Sequence, residues 1–318
     1  YAAVKGVVIT SGKETFSGGA DLTMLQRMLG QFHAEEAKDH KRAIALLFDG
    51  AGRMSHLFRR IETSGKPWVS AINGTCMGGA FELSLACHGR VAADSEKVKL
   101  ALPEIKVGLF PGAGGTQRVP RLANTQEALQ MLTSGQTLSP KKAKAMNLIN
   151  DIVEPGRLID AAKAMIAAGL KPVAPWDEKG FKLPGGPVYS AAGANLWPPA
   201  IAILRRETHG NYPAAAAILK CVYEGLLVPF DTALRIEQRY FTEILQTTEA
   251  AMMIRSLFVS LQELNKGARR PADVPPTKFR KIGVLGAGFM GAGIAYVTAK
   301  AGIPVALLDR DMPSAEKG

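Results

Sequence analysis

The chain carries two glycine-rich segments, and each follows an apolar strand and runs into a helix. The first strand is PWVSAIN at 67–73, followed by GTCMGGAFELSLACHG at 74–89. The second strand is IGVL at 282–285, followed by GAGFMG at 286–291. Glycines permit a tight turn and a close ligand approach, and the first amides of the next helix are free to bind an anion. The sequence therefore predicts an α/β protein with a ligand site at each turn.

Length, composition and net charge limit the class of protein to which this chain can belong. A chain of 318 residues is long enough for about two domains. Hydrophobic residues make up 47% of it and charged residues 21%, which is typical of a folded protein rather than a disordered one. The formal net charge of +11 favours anionic partners, namely nucleic acid, a membrane surface or a phosphorylated small molecule. Charge alone does not choose among them.

Cysteine, histidine and apolar patterns argue against three kinds of structure. Cys76, Cys87 and Cys221 form no C-x-x-C pair, so neither a disulfide framework nor a zinc site is predicted, and we expect a reducing environment. The five histidines show no metal-ligand spacing, so no metal is expected. The longest uncharged stretch, 183–204, contains four prolines, so no transmembrane segment is predicted.

Periodicity and turn residues predict the other elements. They are a strand at 4–10, helix from Leu22 to about Arg60, a strand at 90–94, helical pieces over 125–170, an irregular connection over 171–200 and helices over 212–266. Pro271, Pro275 and Pro276 then predict a domain boundary.

Three parts follow from this pattern. We predict an α/β domain at 1–175, an irregular and helical connector at 176–277, and the start of a dinucleotide-binding domain at 278–318. The chain opens on YAAVKG without an initiator Met and closes soon after a strand. We therefore expect a longer polypeptide, with the N-terminal part of the first domain missing here.

Two glutamates are candidates for chemistry in the first part. Glu82 lies on the helix that begins after Gly78-Gly79, and Glu104 follows 22 positions later in a Pro-Glu-Ile loop. The segment FSGGAD at 16–21 offers a further backbone amide. Taken alone, a glutamate early in a helix is more often a surface residue, and the Pro-Glu loop fits a solvated loop equally well. The residues by themselves leave both interpretations open.

Three motifs together indicate a family. The strings SGGAD, KPWVSAINGTCMGGAFELSLAC and PEIKVGLFPGAGGTQRVPRL, in this order and spacing, resemble the crotonase (enoyl-CoA hydratase/isomerase) family over roughly residues 4–155. The resemblance implies a crotonase-like ββα spiral domain. It implies an oxyanion hole formed by the amides of Ala20 and Gly79, and catalysis by Glu82 and Glu104.

The resemblance also assigns roles and a substrate. Glu104 would protonate C2 of a 2-enoyl-CoA, and Glu82 would hold the attacking water. Because hydratases of the family carry both glutamates, hydration is favoured. A crotonase-fold enoyl-CoA isomerase and a catalytically degenerate acyl-CoA-binding module remain as alternatives.

The last 41 residues carry a dinucleotide fingerprint. Gly286, Gly288 and Gly291 lie between a strand and a helix, and Asp309 follows 23 positions after the first glycine. Asp309 would bind a ribose and repel a 2′-phosphate, which favours NAD over NADP. The string GAGFMGAGIAYVTAKAGIPVALLD resembles the 3-hydroxyacyl-CoA dehydrogenase family, and the residues at 278–318 predict the opening βαβ unit of its Rossmann domain. The dehydrogenase catalytic residues of that family lie beyond Gly318, so none is assigned.

The order of the parts resembles the multifunctional enzymes of fatty-acid β-oxidation. This resemblance implies hydration of 2-enoyl-CoA and then NAD-dependent oxidation of 3-hydroxyacyl-CoA. It also implies an oligomer, a thiolase partner chain and a cytoplasmic location. A nucleic-acid binder is indicated by charge only, and no helix-turn-helix, RNP-type or zinc-finger signature accompanies it.

Two smaller groups of residues also carry predictions. Met24, Met28 and Leu29 fall at helical spacing, for which core packing is favoured over an acyl tunnel. Lys141, Lys142 and Lys144 are expected on a solvated face rather than on a CoA phosphate.

Overall fold

A computed structural model describes residues 3–275 and 277–318, so Pro276 of the predicted boundary lies outside the described residues. The chain divides into two compact units. The first runs to Gln262, and the second comprises Glu263–Gly318. Within the described residues, no helix is both long and apolar enough to span a bilayer.

The strands of the first unit form two small parallel sheets. They are β1 (Val7–Ile9), β2 (Trp68–Ile72), β3 (Cys76–Met77), β4 (Gly89–Ala93), β5 (Leu100–Ala101) and β6 (Asp151–Val153). One sheet has the order β1-β2-β4-β6, and the other pairs β3 with β5. Strands β2 and β4 are almost wholly buried, as expected for parallel strands covered on both faces.

Helices surround these sheets. They are α1 (Leu22–Glu36), α2 (His40–Glu62), α3 (Gly79–Leu85), α4 (Gly115–Leu122), α5 (Thr125–Ser134), α6 (Pro140–Ala145), α7 (Leu158–Ala167), α8 (Ala191–Thr208), α9 (Pro213–Gly225), α10 (Phe230–Leu245), α11 (Thr248–Met253) and α12 (Leu261–Asn265). A π-helical segment, Ile254–Ser260, lies between α11 and α12. Short 3₁₀ turns occur at Glu104–Val107, Pro155–Arg157 and Pro175–Asp177.

Helix α2 shows how the sequence specifies these elements. The Asp39 carboxylate caps its first turn by accepting a hydrogen bond from the Arg42 amide. Its buried residues Ala43, Leu47 and Ala51 recur every four positions, which places them on one face. That face packs against α1 and α10, so a helix from the predicted connector is built into the first unit.

Two predictions about local structure are wrong. Residues 171–200 do not form an irregular connection throughout, because α8 begins at Ala191, where Ser190 accepts a hydrogen bond from the Gly193 amide. Pro198 and Pro199 lie inside α8. Each proline removes a backbone hydrogen bond of the helix, and the buried Trp197, packed edge-on against Tyr223, stabilises α8 through tertiary contact instead. The second error lies in 125–170, where strand β6 pairs with β4 at the edge of the sheet.

The second unit contains the predicted βαβ unit. Strand β7 (Ile282–Leu285) leads into α13 (Phe289–Lys300), and strand β8 (Val305–Leu308) returns parallel to β7. Helix α14 (Met312–Lys317) follows. Parallel pairing across a helix confirms the predicted α/β class for this part of the chain. The domain limits given above stay predictions.

Candidate active site

A cavity of about 670 Å³ in the first unit brings the predicted site residues together. Its lining includes the candidate oxyanion-hole residues Ala20 and Gly79 and both candidate glutamates, Glu82 and Glu104. These four residues come from three distant stretches of sequence. The fold therefore assembles the four predicted residues around one space.

Close backbone approach positions the two candidate amides. The Met77 amide donates to the Ser17 carbonyl at 3.0 Å, which joins the two glycine-rich turns. A Cβ placed on Gly19, whose φ is +97°, would lie 2.7 Å from the Met77 carbonyl oxygen, so only glycine fits there. Within the described residues, neither the Ala20 nor the Gly79 N–H has a protein acceptor. Both are therefore free to donate to a ligand in the cavity.

Glu82 is buried and holds a fixed orientation. It is 2% exposed, and its Oε1 accepts hydrogen bonds from the amides of Ala113 and Gly115, each at 2.8 Å. Burial raises the pKa of this carboxyl, whereas the two amides and the Arg118 guanidinium favour its ionised form. Those bonds leave the second oxygen of Glu82 available for another partner.

Glu104 faces the same cavity from the start of a 3₁₀ turn. Its Oε2 is buried and has no hydrogen-bond partner. A Cβ placed on Gly78 would lie only 3.1 Å from the Glu104 Oε1, so a larger residue at position 78 would crowd the Glu104 carboxyl. Burial raises the pKa of Glu104 well above its ordinary value, and the negative charges of Glu82 and Glu237 raise it further. A buried carboxyl oxygen with no partner and a raised pKa, on a cavity wall that also holds free amides, suits a proton donor.

Sequence reasoning missed the charged residues behind the site. Glu237 on α10 is 0% exposed and accepts hydrogen bonds from the Gly114 and Thr116 amides. Arg118, also 0% exposed, donates from Nε to Glu62 at 2.7 Å and from Nη1 to the Ala113 carbonyl at 2.8 Å. The sequence does carry one indication of Glu237. It lies four positions from both Ala233 and Phe241, so it is a glutamate on the apolar face of α10.

The methionines of α1 and two phenylalanines form other parts of the cavity wall. Met24 is exposed and lines the cavity rather than packing in the core, which corrects the prediction for this residue. Met28 lines the cavity and also packs against the core. Leu29 is buried in the core as predicted. Phe241 of α10 and Phe258 of the π-helical segment close another part of the wall.

The remaining candidates behave as surface or packing residues. Lys141, Lys142 and Lys144 are exposed, and the last two pair with Glu127 and Asp151. The three cysteines are free and buried. Over residues 3–275 and 277–318, no cluster of His, Cys, Asp or Glu is suited to hold a metal ion.

The glycine-rich turn of the second unit is tight and lies directly before α13. Gly286 has φ +95°, a backbone conformation that favours glycine. A Cβ on Gly291 would lie 1.7 Å from the Gly286 carbonyl oxygen, so only glycine lets the first turn of α13 pack against the loop. At Gly288 a Cβ would meet open space, which leaves room for a phosphate at the start of α13. The Asp309 carboxylate accepts from the Ala287 amide at 2.6 Å, and that bond lowers the pKa of Asp309.

Comparison with known protein families matches one family to each of the two units. The profile of the enoyl-CoA hydratase/isomerase family matches residues 2–172, which is more than half of the chain. The chain belongs to the enoyl-CoA hydratase/isomerase family. The profile of the NAD-binding domain of 3-hydroxyacyl-CoA dehydrogenase matches residues 281–318. The predicted crotonase-type fold with a Rossmann-like start is thereby confirmed.

Relatives of this family member share both regions. The fatty acid oxidation complex subunit alpha of Shewanella amazonensis is 39% identical over 313 residues, covering 97% of this chain and 42% of that protein. The subunit of the same description from Vibrio campbellii is 37% identical over 311 residues, with 97% and 42% coverage. The structure of EchA1_1 from Mycobacterium paratuberculosis matches with TM-score 0.46 and 25% identity, covering 80% of this chain and 78% of that one. The chain spans about two fifths of the length of the first two relatives.

Proposed function

We propose that the cavity hydrates a 2-enoyl-CoA to a 3-hydroxyacyl-CoA, using Glu82, Glu104 and the amides of Ala20 and Gly79. The observation that carries this proposal is the unpaired, buried Oε2 of Glu104 on the wall that also holds the two free amides. Membership of the enoyl-CoA hydratase/isomerase family supports the same reaction class.

The amides account for activation of the substrate. When the thioester oxygen lies between the Ala20 and Gly79 N–H groups, both donate to it. Attack at C3 moves negative charge onto that oxygen, so these bonds strengthen in the transition state. Preorganised donors of this kind stabilise such an oxyanion by about 3 kcal/mol each in comparable sites.

The two glutamates divide the proton transfers. Glu82, held by two amides, accepts a proton from water as the oxygen forms its bond to C3. Glu104, whose raised pKa favours the protonated form, delivers a proton to C2. The net change is addition of one water across the double bond, and solvent exchange restores both carboxyl groups.

Variants of the two glutamates test the hydration proposal. We expect Glu104→Gln and Glu82→Gln to lower kcat by about a hundredfold or more, because each removes one proton-transfer group. Loss of the conjugated enoyl-thioester absorbance measures the rate. Glu127→Gln is the matched control, because Glu127 is a surface glutamate paired with Lys142, and it should keep the wild-type rate. Wild-type rates in both site variants would reject the assignment.

We also propose that the second unit begins an NAD-binding domain. The close Gly286–Gly291 contact and the open space at Gly288 support a pyrophosphate site. Asp309, which lies beside this turn and accepts from the Ala287 amide, would also accept from a ribose hydroxyl. NAD, when bound, would accept a hydride from the 3-hydroxyacyl-CoA made in the first step. The descriptions of the relatives support a place in fatty-acid β-oxidation. The thiolase partner, the oligomeric state and the location stay predictions.

Nucleotide affinity tests the role of Asp309. We expect Asp309→Ala to weaken NAD binding about tenfold or more in the intact protein, since a carboxylate hydrogen-bonded to a ribose is lost. Asp311→Ala is the control, because Asp311 caps α14 two positions further on. Isothermal titration calorimetry measures both affinities. Equal affinity of the wild type for NAD and NADP would contradict the cofactor assignment.

A further inference from the structure

The 113–116 turn, Ala113 to Thr116, is held from two sides. It precedes and opens α4, and it presents four consecutive backbone amides. Glu82 of α3 accepts from the first and third of these amides, each at 2.8 Å. Glu237 of α10 accepts from the second and fourth, the latter at 3.0 Å, and from the Thr116 hydroxyl. The four amides at the start of α4 are therefore shared between the side chains of Glu82 and Glu237.

The 113–116 turn depends on protein groups for all of its hydrogen bonds, and Glu237 binds two of its four amides. Arg118 donates to the Ala113 carbonyl and packs against Gly114 so closely that a Cβ there would lie 1.6 Å from its Nη1. The turn is buried, so amides released by Glu237 would lack a replacement from water. Glu237 is not part of the cavity lining, so it would act through the turn and not on substrate.

We propose that Glu237 is a positioning residue for hydration, which aims the 113–116 turn at Glu82 and so orients Glu82 toward the attacking water. The proposal rests on the hydratase function proposed above. Glu237 lies outside residues 2–172, the part matched by the family profile. The helical segment that follows the family domain thus contributes to the catalytic machinery of that domain.

Kinetics of Glu237→Gln in the intact protein test this role. Glutamine keeps the size and one acceptor oxygen, but it puts an NH₂ group against an amide of the turn. We expect kcat for a 2-enoyl-CoA to fall about tenfold to a hundredfold while KM changes less than about threefold, because the cavity wall is unaltered. Gln238→Ala is the control. Gln238 is equally buried and donates to the Phe48 carbonyl at 2.7 Å, away from the turn, so its loss should destabilise the fold and leave kcat unchanged.

Amide hydrogen exchange gives a readout independent of activity. We expect the two amides bound to Glu82 to exchange about tenfold faster in Glu237→Gln and at the wild-type rate in Gln238→Ala. A folded Glu237→Gln with wild-type kcat, wild-type exchange at those amides, or an equal loss of kcat in Gln238→Ala would each overturn the proposal. An inactive wild type would instead reject the hydratase function, and exchange would still decide whether Glu237 orders the turn.

Discussion

Burial, more than any single hydrogen bond, sets the protonation of the three carboxyls at this site. Glu82, Glu104 and Glu237 all have a raised pKa, and burial is the largest cause for each. Each negative charge also raises the pKa of its neighbours. Arg118 lowers the pKa of Glu82 and of Glu237, whereas none of the described arginines lowers that of Glu104, so Glu104 is the carboxyl best suited to donate a proton.

The same burial predicts how stability depends on pH. Burial and the charge of Glu82 raise the pKa of Glu237 from 4.5 to about 8, against the opposing effects of Thr116, Arg118 and Gly114. The stabilisation from the protonated form is fully present below the unfolded pKa and is lost as pH rises through about 8. Between these values the wild type should lose free energy of unfolding relative to Glu237→Gln, by up to about 1.4 kcal/mol per pH unit.

Chemical denaturation at several pH values measures this difference. Glu243→Gln serves as the control, because Glu243 lies on the exposed face of the same helix. Its free energy of unfolding should run parallel to that of the wild type. A difference between wild type and Glu237→Gln that does not change with pH would contradict the raised pKa of Glu237.

Single residues were predictable only where their motif is continuous in sequence. Ala20, Gly79, Glu82 and Glu104 each lie in a short string that resembles a family motif, so their positions could be predicted from that resemblance. Glu237 bonds an amide 123 positions away, and Arg118 pairs with a glutamate 56 positions away. No local pattern encodes such pairings, which exist only once distant helices pack together.

At the scale of elements, the π-helical segment contributes to the cavity wall. Phe258 lies on this segment and lines the cavity, whereas its neighbour Leu257 is 52% exposed. Wider helical turns of this kind often occur at functional sites, where they redirect a side chain. The wall supplied by Phe258 is therefore expected to limit the acyl chain.

Truncating this wall should change the preference for chain length. We expect Phe258→Ala to raise kcat/KM for longer 2-enoyl-CoA substrates relative to short ones, by about fourfold for each methylene newly buried. Leu257→Ala, on the same segment but outside the cavity, should keep the wild-type ratio. Rates across a series of chain lengths measure the effect. If Phe258→Ala leaves the ratio of kcat/KM for long and short substrates unchanged, Phe258 does not contact the acyl chain.

Elements with a strong local pattern were predicted better than those fixed by tertiary contacts. The long helical stretch after Leu22 and the βαβ unit after Ile282 follow periodicity and glycine placement. Helix α8 was not predictable from its two prolines, because packing of Trp197 stabilises it. Strand β6 has three residues, and its pairing with β4 defines it more than its composition does.

At the scale of the whole molecule, the net charge of +11 fits the proposed ligands. CoA thioesters and NAD both carry phosphates, so a basic protein favours their approach. The chain spans about two fifths of the length of its fatty-acid-oxidation relatives. Whether the 3-hydroxyacyl-CoA made by hydration passes on to oxidation is therefore to be tested in the intact protein.

The most direct test of the central claim is the identity of the product formed from a 2-enoyl-CoA in water labelled with heavy oxygen. We expect mass spectrometry to detect a 3-hydroxyacyl-CoA that is heavier than the substrate by one labelled water, with the label at C3. Glu104→Gln should form this product far more slowly. A product of unchanged mass with a shifted double bond, or unreacted substrate that nevertheless binds, would contradict hydration as the function of this cavity.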